Sequence, residues 1–352
     1  MITNNTWKTE LKEAYTNIRT VFKKLNTSIP EELLNVEKQY PILITDYYFN
    51  LIDRSNIQND PIWKQCMPSP DEINKYYISQ EDPLSEEIQM PVPKLIHRYK
   101  DRAVLLTSSR CSMQCRFCFR KRYWKNGTQR LDISNRELDS ICNYIKSQPD
   151  LNEILISGGD PLILETSRLK YILDKLTGIK NIEIVRIASR VPVTLPSRID
   201  YELVEMLSKY EGLWFVTHFN HPQEITKKSI EACKFIISKG IPILNQTVLL
   251  KGINDSSATL EHLFRQLIKI KIKPHYLFHV DPVKGVKHFA TGIKCGLDIL
   301  KDFQLNLSSI AVPHFAIDLP AGGGKISLQP DYCSDSGFKG INNKIIPYYP
   351  EL

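Results

Sequence analysis

Three cysteines stand close together before the middle of the chain: Cys111, Cys115 and Cys118, a C-x3-C-x2-C run with Phe117 just ahead of the last. Three thiolates at this spacing in a loop can converge on one metal centre. Structural zinc usually takes four protein ligands, and no other Cys or His lies close by in sequence. A [4Fe–4S] cluster normally takes four cysteines; held by three, it leaves one iron open to a substrate or cofactor. The remaining cysteines, Cys66, Cys142, Cys233, Cys295 and Cys333, stand alone and read as small buried hydrophobes. Further on, Ser157-Gly158-Gly159-Asp160 is a turn signal, weak by itself. Near the end, Pro320-Ala321-Gly322-Gly323-Gly324-Lys325 sets a lysine behind three glycines. It is not a P-loop, because Ile326 follows the lysine and no helix pattern begins there. Glycines let backbone approach a flat or anionic ligand, and a lysine fixed behind them is a candidate attachment point for pyridoxal phosphate (PLP).

Charge is concentrated around the cysteines. Lys94 to Lys125 carries ten basic residues and one acid, a net +9, while the remainder of the chain sums to −2 and the whole to +7. An acidic macromolecule is one partner such a run could take. RNA binding through phosphates would weaken steeply with salt. A run interrupted by cluster ligands reads better as a counterweight to small anions in a site, so no nucleic-acid partner is expected.

These groups must be positioned by elements. The first ~90 residues show amphipathic helical patterning around 8–24 and 31–53. From residue 103, β-rich runs at 103–107, 153–157, 182–188, 213–217, 243–250 and 275–280 alternate with helical patterns at about 135–148, 166–176, 200–210, 223–239, 256–270 and 292–302. Strands separated by helices imply a parallel sheet. A barrel sets its active groups at the C-terminal strand ends, and polar residues recur there: Ser157 to Asp160, Ser189-Arg190, His218 and Asp281. The expected fold is α/β, an open partial parallel β/α barrel at 94–290, with an N-terminal helical region at 1–93 and a C-terminal segment at 291–352 carrying Lys325. No stretch approaches the ~18 apolar residues of a membrane span, and the N-terminus lacks a signal-peptide core. The expected compartment is the cytoplasm, with no membrane partner.

The C-x3-C-x2-C loop followed by S-G-G-D resembles the radical S-adenosylmethionine (SAM) superfamily. Across nearly its whole length the chain resembles, more narrowly, the lysine 2,3-aminomutase family. The resemblance rests on Asn59-Asp60-Pro61, residues 81–84 (E-D-P-L), 97–102 (H-R-Y-K-D-R), 111–118, 189–192 (S-R-V-P), 217–222 (T-H-F-N-H-P), 245–250 (N-Q-T-V-L-L) and the glycine–lysine segment. It implies a [4Fe–4S] cluster on Cys111, Cys115 and Cys118. It also implies SAM beside Phe117, Ser157, Gly158, Gly159, Asp160, His218 and Gln246, and PLP on Lys325 with Arg98 and Arg102 near its phosphate. Ser189 and Arg190 are further PLP-pocket candidates. Arg120 matches the residue that holds the substrate carboxylate, and Asp281 and Asp318 match the pair that receives a distal ammonium. The implied reaction is an isomerisation moving the α-amino group of L-lysine to the β-carbon to give β-lysine. The alternative is the same reaction on arginine or ornithine. A flavodoxin- or ferredoxin-type electron donor and a homo-oligomer are implied too. The family's zinc site has no counterpart, since Asn254-Asp255-Ser256 lacks its cysteine and the chain closes without a cysteine cluster; no structural zinc is expected. The chain also departs from the family at Asp281-Pro282-Val283 and His288-Phe289-Ala290, both near the implied substrate site.

Overall fold

From residue 95 onward, the apolar runs become strands that line up in sequence order. In the computed structural model, which describes residues 6–73, 80–124, 132–340 and 344–347, nine strands form one sheet: β1 (Leu95–Tyr99), β2 (Arg102–Ser108), β3 (Glu153–Gly158), β4 (Ile184–Ala188), β5 (Leu213–Thr217), β6 (Ile243–Leu249), β7 (Ile272–His279), β8 (His314–Leu319) and β9 (Gly324–Leu328). Strands β2 to β8 are parallel, and each edge is finished by an antiparallel strand, β1 on β2 and β9 on β8. The two edges meet through a side chain: the Lys325 amide on β9 donates to the Tyr99 hydroxyl on β1 at 2.7 Å. This is the expected partial barrel, with one more parallel strand than the sequence pattern gave. The sheet continues past residue 290 through β8 and β9 without interruption.

The crossover helices follow their sequence signals closely. Asn135–Lys146 begins at a reciprocal cap, Ser134 and Glu137 each answering the other's amide, and buries Leu138, Ile141, Cys142 and Ile145 on one stripe. Thr226 caps Lys227–Ser238 reciprocally with Ser229, and the Ser256 side chain caps Ser257–Lys269 by accepting from Thr259 N. Every fully buried Leu or Ile on such a stripe contributes about 1.5–3 kcal/mol. Ile293–Asn306 lies against β8 through Gly296, where a Cβ would come within 2.3 Å of the Phe315 ring.

The N-terminal region is helical, but in short pieces: Thr6–Lys12, Ile18–Leu25, Glu31–Gln39, Asp46–Phe49 and Pro61–Cys66. Caps interrupt the two long patterns. Asn17 and Thr45 each accept an amide of the helix that follows, and between helices Tyr15 pairs with Ile44 as an antiparallel bridge. This region lies over the C-terminal strand ends, where the chemistry-bearing residues gather.

Candidate active site

The cysteine loop follows β2 and is fastened to the N-terminal region by backbone. Gln114 N donates to Leu43 O at 2.9 Å and Arg116 N to Gln65 O at 2.9 Å. Arg116 is fully buried, held by Glu72 at 3.0 and 2.6 Å and by the carbonyls of Pro41 and Tyr40. With the arginine anchored this way, the three thiols are left as electrostatic neighbours. Burial pushes the Cys111 thiol well up and Cys118 up to about 11, and the neighbouring cysteines add to both shifts. The Cys115 Sγ accepts from Arg190 Nη1 at 2.8 Å. Among the described residues no three His, Cys, Asp or Glu side chains close on one point as a single metal ion requires. A cluster does not require it, because each thiolate binds a different iron.

Gly158 and Gly159 have a steric reason to be glycine. A Cβ on Gly158, whose φ is +130°, would meet Ser108 O at 2.4 Å, and one on Gly159 would meet Arg110 O at 2.3 Å. The Asp160 amide donates to Arg110 O at 2.7 Å. The S-G-G-D segment therefore clamps the approach to Cys111, a task its turn signal did not reveal. Asp160 is buried and its carboxyl is pushed up to about 6 by desolvation, against hydrogen bonds from the Ser189 hydroxyl at 2.8 Å and the Arg190 amide at 2.8 Å. Ser189 and Arg190 thus stand with the thiols and Asp160. The Arg190 guanidinium donates to Cys115, to Glu224 at 2.7 Å, to Gln65 at 2.6 Å and to the His218 carbonyl. Phe117 is buried beneath that guanidinium and against the His218 ring, 5.5 Å away. His218 is held to Asn220 at 2.9 Å and pushed down to about 3 by burial and by Arg190. Gln246 is half-buried on β6, on the face opposite the buried Asn245 and Thr247.

Lys325 lies in register opposite Asp318 on β8. Its Nζ rests over the rings of Tyr276 and Phe278, 4.3 and 4.4 Å from their centroids, and those rings stack on each other. Burial lowers its pKa, with Arg186 and Arg102 acting in the same sense and Asp318 opposing. A desolvated lysine amine is a better nucleophile at neutral pH. Arg102 stacks on Tyr99, its guanidinium 3.9 Å from the ring, and pairs with Asp101 at 2.7 Å. Arg98 reaches Asp318 at 3.6 Å while bonded to Gln89 and the Leu84 carbonyl. Asp318 therefore already has an ion-pair partner, whereas among the described residues no cation pairs with Asp281. Asp281 is pushed up to about 7, first by burial, then by the charges of Asp318 and Glu86, with Lys325 and Arg120 opposing. Asp281, Asp318, His279, Pro282 and Ala290 line one cavity of about 290 Å³.

The basic run is neutralised mainly from within, which corrects the expectation that small anions balance it. Glu72 takes Arg116 and Lys121, the latter at 2.6 Å. Glu86 takes Arg120 at 2.6 Å and Arg122 at 2.8 Å, and Asp82 approaches Arg122 at 3.3 Å. All three acids come from the N-terminal region, outside the run, so a count within the run could not find them. Lys125 lies outside the described residues. Sequence reasoning also missed Tyr276 and Phe278. Both lie inside the 275–280 run, where their two-residue spacing already puts the two rings on one face, but nothing in that pattern points to a lysine nearly fifty residues on.

A three-thiol loop after the first parallel strand, clamped by a glycine turn after the second, defines a radical SAM barrel, and residues 105–264 match the Radical SAM superfamily model. The L-lysine 2,3-aminomutase of Clostridium subterminale is 40% identical over 93% of this chain and 79% of its own. That of Acetoanaerobium sticklandii is 39% identical over 97% and 81%. The glutamate 2,3-aminomutase of Clostridioides difficile is 36% identical over 95% and 78%. The chain belongs to the lysine 2,3-aminomutase family of radical SAM isomerases. A [4Fe–4S] cluster, SAM and PLP are the cofactors of that family. The described residues fit them: three electrostatically coupled thiols on one loop with a guanidinium on one, and a desolvated lysine above two stacked rings.

Proposed function

We propose that this protein is an aminomutase that moves the α-amino group of L-lysine to its β-carbon, giving β-lysine. The observation that carries the reading is the uncompensated Asp281 carboxyl, in one cavity with Asp318 and on the same wall of the barrel as Lys325. A buried carboxylate pair is costly unless a cation neutralises it, and an ammonium at the far end of the substrate does so. A carboxylate there, as on glutamate, is repelled. Arg120 receives the α-carboxylate, and Lys325 carries PLP, with Arg102 on its phosphate side. Ser157 to Asp160, Ser189, Arg190, Phe117, His218 and Gln246 belong to the SAM and cluster side. When bound, the reduced cluster and SAM would supply the radical that removes a hydrogen atom, and PLP would supply a conjugated ring that stabilises the unpaired electron while the amino group moves to the adjacent carbon. The chain's own residues orient the substrate by its two ends and exclude water.

The electron donor is a one-electron carrier of flavodoxin or ferredoxin type, the compartment the cytoplasm, and the assembly a homo-oligomer. Among the described residues no helix is long and apolar enough to cross a membrane. One observation favours a second reading. Both departures from the family pattern, Pro282 and Ala290, line the Asp281 cavity, and a small residue there suits the wider guanidinium of arginine. Incubating the reduced, reconstituted enzyme with lysine, ornithine or arginine and identifying the β-amino acid formed separates the two.

A further inference from the structure

Glu86 stands where a substrate carboxylate would have to go. Its Oε1 accepts from Arg120 Nη2 at 2.6 Å and Nε at 3.2 Å, and its Oε2 from Nε at 3.0 Å. This is the edge-on fork that a guanidinium makes with any carboxylate. The third nitrogen of Arg120, Nη1, is spent on Gly158 O at 3.2 Å and Ser157 Oγ at 3.3 Å. Of five N–H donors, one Nη2 hydrogen is left, and one hydrogen cannot grip a second carboxylate bidentately. Both partners are buried. The substrate therefore cannot take Arg120 as a fork while Glu86 stays.

Arg122 offers Glu86 somewhere to go. Its Nη2 already donates to Oε2 at 2.8 Å, while its Nε and Nη1 are buried and make no hydrogen bond. Asp82 and Glu87 approach those two nitrogens only to 3.3 and 3.5 Å. The Nε–H, on the same edge as the Nη2 that already holds Glu86, thus lies next to the carboxylate, and a buried donor without a hydrogen bond is costly.

On the reading that Arg120 receives the α-carboxylate, we propose that Glu86 is a specificity-determining stand-in. It occupies Arg120 in the substrate-free enzyme and swings wholly onto the Nε/Nη2 edge of Arg122, whose Nη2 it already holds, when the substrate carboxylate arrives. One carboxylate then replaces another, so the α-carboxylate adds little net affinity. An anion without a distal cation gains too little to displace Glu86. The seat stays closed to stray anions, and its buried cation is never unpaired.

The test is equilibrium dialysis of the reconstituted holoenzyme with radiolabelled L-lysine and with 1,5-diaminopentane, which is lysine without its carboxylate. Wild type should prefer lysine by less than about tenfold. In Glu86→Gln, where a neutral amide cannot compete, that preference should rise by about tenfold or more, chiefly through tighter lysine binding. Should that variant not fold, Glu86→Asp decides: one methylene shorter, it withdraws from Arg120, keeps its charge beside Arg122, and should raise the preference too. A purely structural Glu86 would weaken both ligands alike. An unchanged preference in the folded variant overturns the stand-in role. Arg120→Met tests the underlying reading separately: it should weaken lysine about tenfold or more and leave the diamine nearly unchanged. Undiminished lysine binding there means that Arg120 is not the carboxylate seat at all.

Discussion

Replacing Asp281 with asparagine should make the substrate-free enzyme more stable at pH 8 while removing its grip on lysine. In the folded chain the Asp281 carboxyl is pushed from its ordinary 3.8 up to about 7, first by burial and then by Asp318 and Glu86. Its folded pKa lies above its unfolded one, so the native state binds the proton more tightly. Stability is therefore lost as pH rises from about 4 to about 7, and the loss is complete above that. Three pH units at 1.36 kcal/mol each make this about 4 kcal/mol, an upper bound once water penetration and side-chain relaxation are allowed for. The amide of the variant stays neutral throughout and escapes the cost. The assay is thermal unfolding of wild type and Asp281→Asn at pH 5 and pH 8, with and without lysine. Without lysine the variant should melt above wild type by a smaller margin at pH 5, where about 1.6 kcal/mol of the cost is already present, and by several degrees at pH 8. Lysine should raise the wild-type midpoint only, since a ligand stabilises the state that binds it. A variant less stable than wild type at pH 8, or one that lysine stabilises equally, would refute the reasoning.

By the same sign, wild-type kcat/KM for lysine should fall as pH drops below about 7, because the ammonium must then displace a proton from Asp281; a profile flat from pH 5.5 to 8.5 contradicts this. Lys325→Ala should abolish the absorbance of lysine-bound PLP and leave iron content intact, whereas retained absorbance would move the attachment point elsewhere. Glu72→Gln leaves the buried Arg116 and Lys121 without their shared anion and should cost about 3–5 kcal/mol in urea unfolding; a loss under about 1 kcal/mol would show that the network is not structural. Gly159→Ala drives a Cβ into the Arg110 carbonyl and should lower iron loading, which iron and sulfide analysis reads directly; full loading would show that the clamp is not needed.

The interior strands were legible because they are short apolar runs rich in aromatic and β-branched residues, such as Leu213–Thr217. The edges were not. β1 carries His97 and Arg98, and β9 carries Gly324, Lys325 and Ser327, so neither has the apolar run that marks a strand, and only long-range pairing makes them one. The cysteines and Lys325 could be picked out because their chemistry is written in residue type and spacing. Glu72 and Glu86 could not, because nothing local distinguishes a surface glutamate from one folded onto an arginine tens of residues away. Arg190 is a related case: its position at a strand end was readable, but its partners Gln65 and Glu224 lie far off in sequence.

The central claim is tested most directly by the product formed from lysine. Anaerobic enzyme reconstituted with iron, sulfide and PLP, then reduced and given SAM and uniformly labelled L-lysine, should release labelled β-lysine identifiable by NMR. Parallel incubations with ornithine and arginine should give little or no β-amino acid. β-Arginine appearing while lysine is recovered unchanged would contradict the assignment of substrate, and no turnover of any of the three by enzyme loaded with cluster and PLP would contradict the assignment of the reaction.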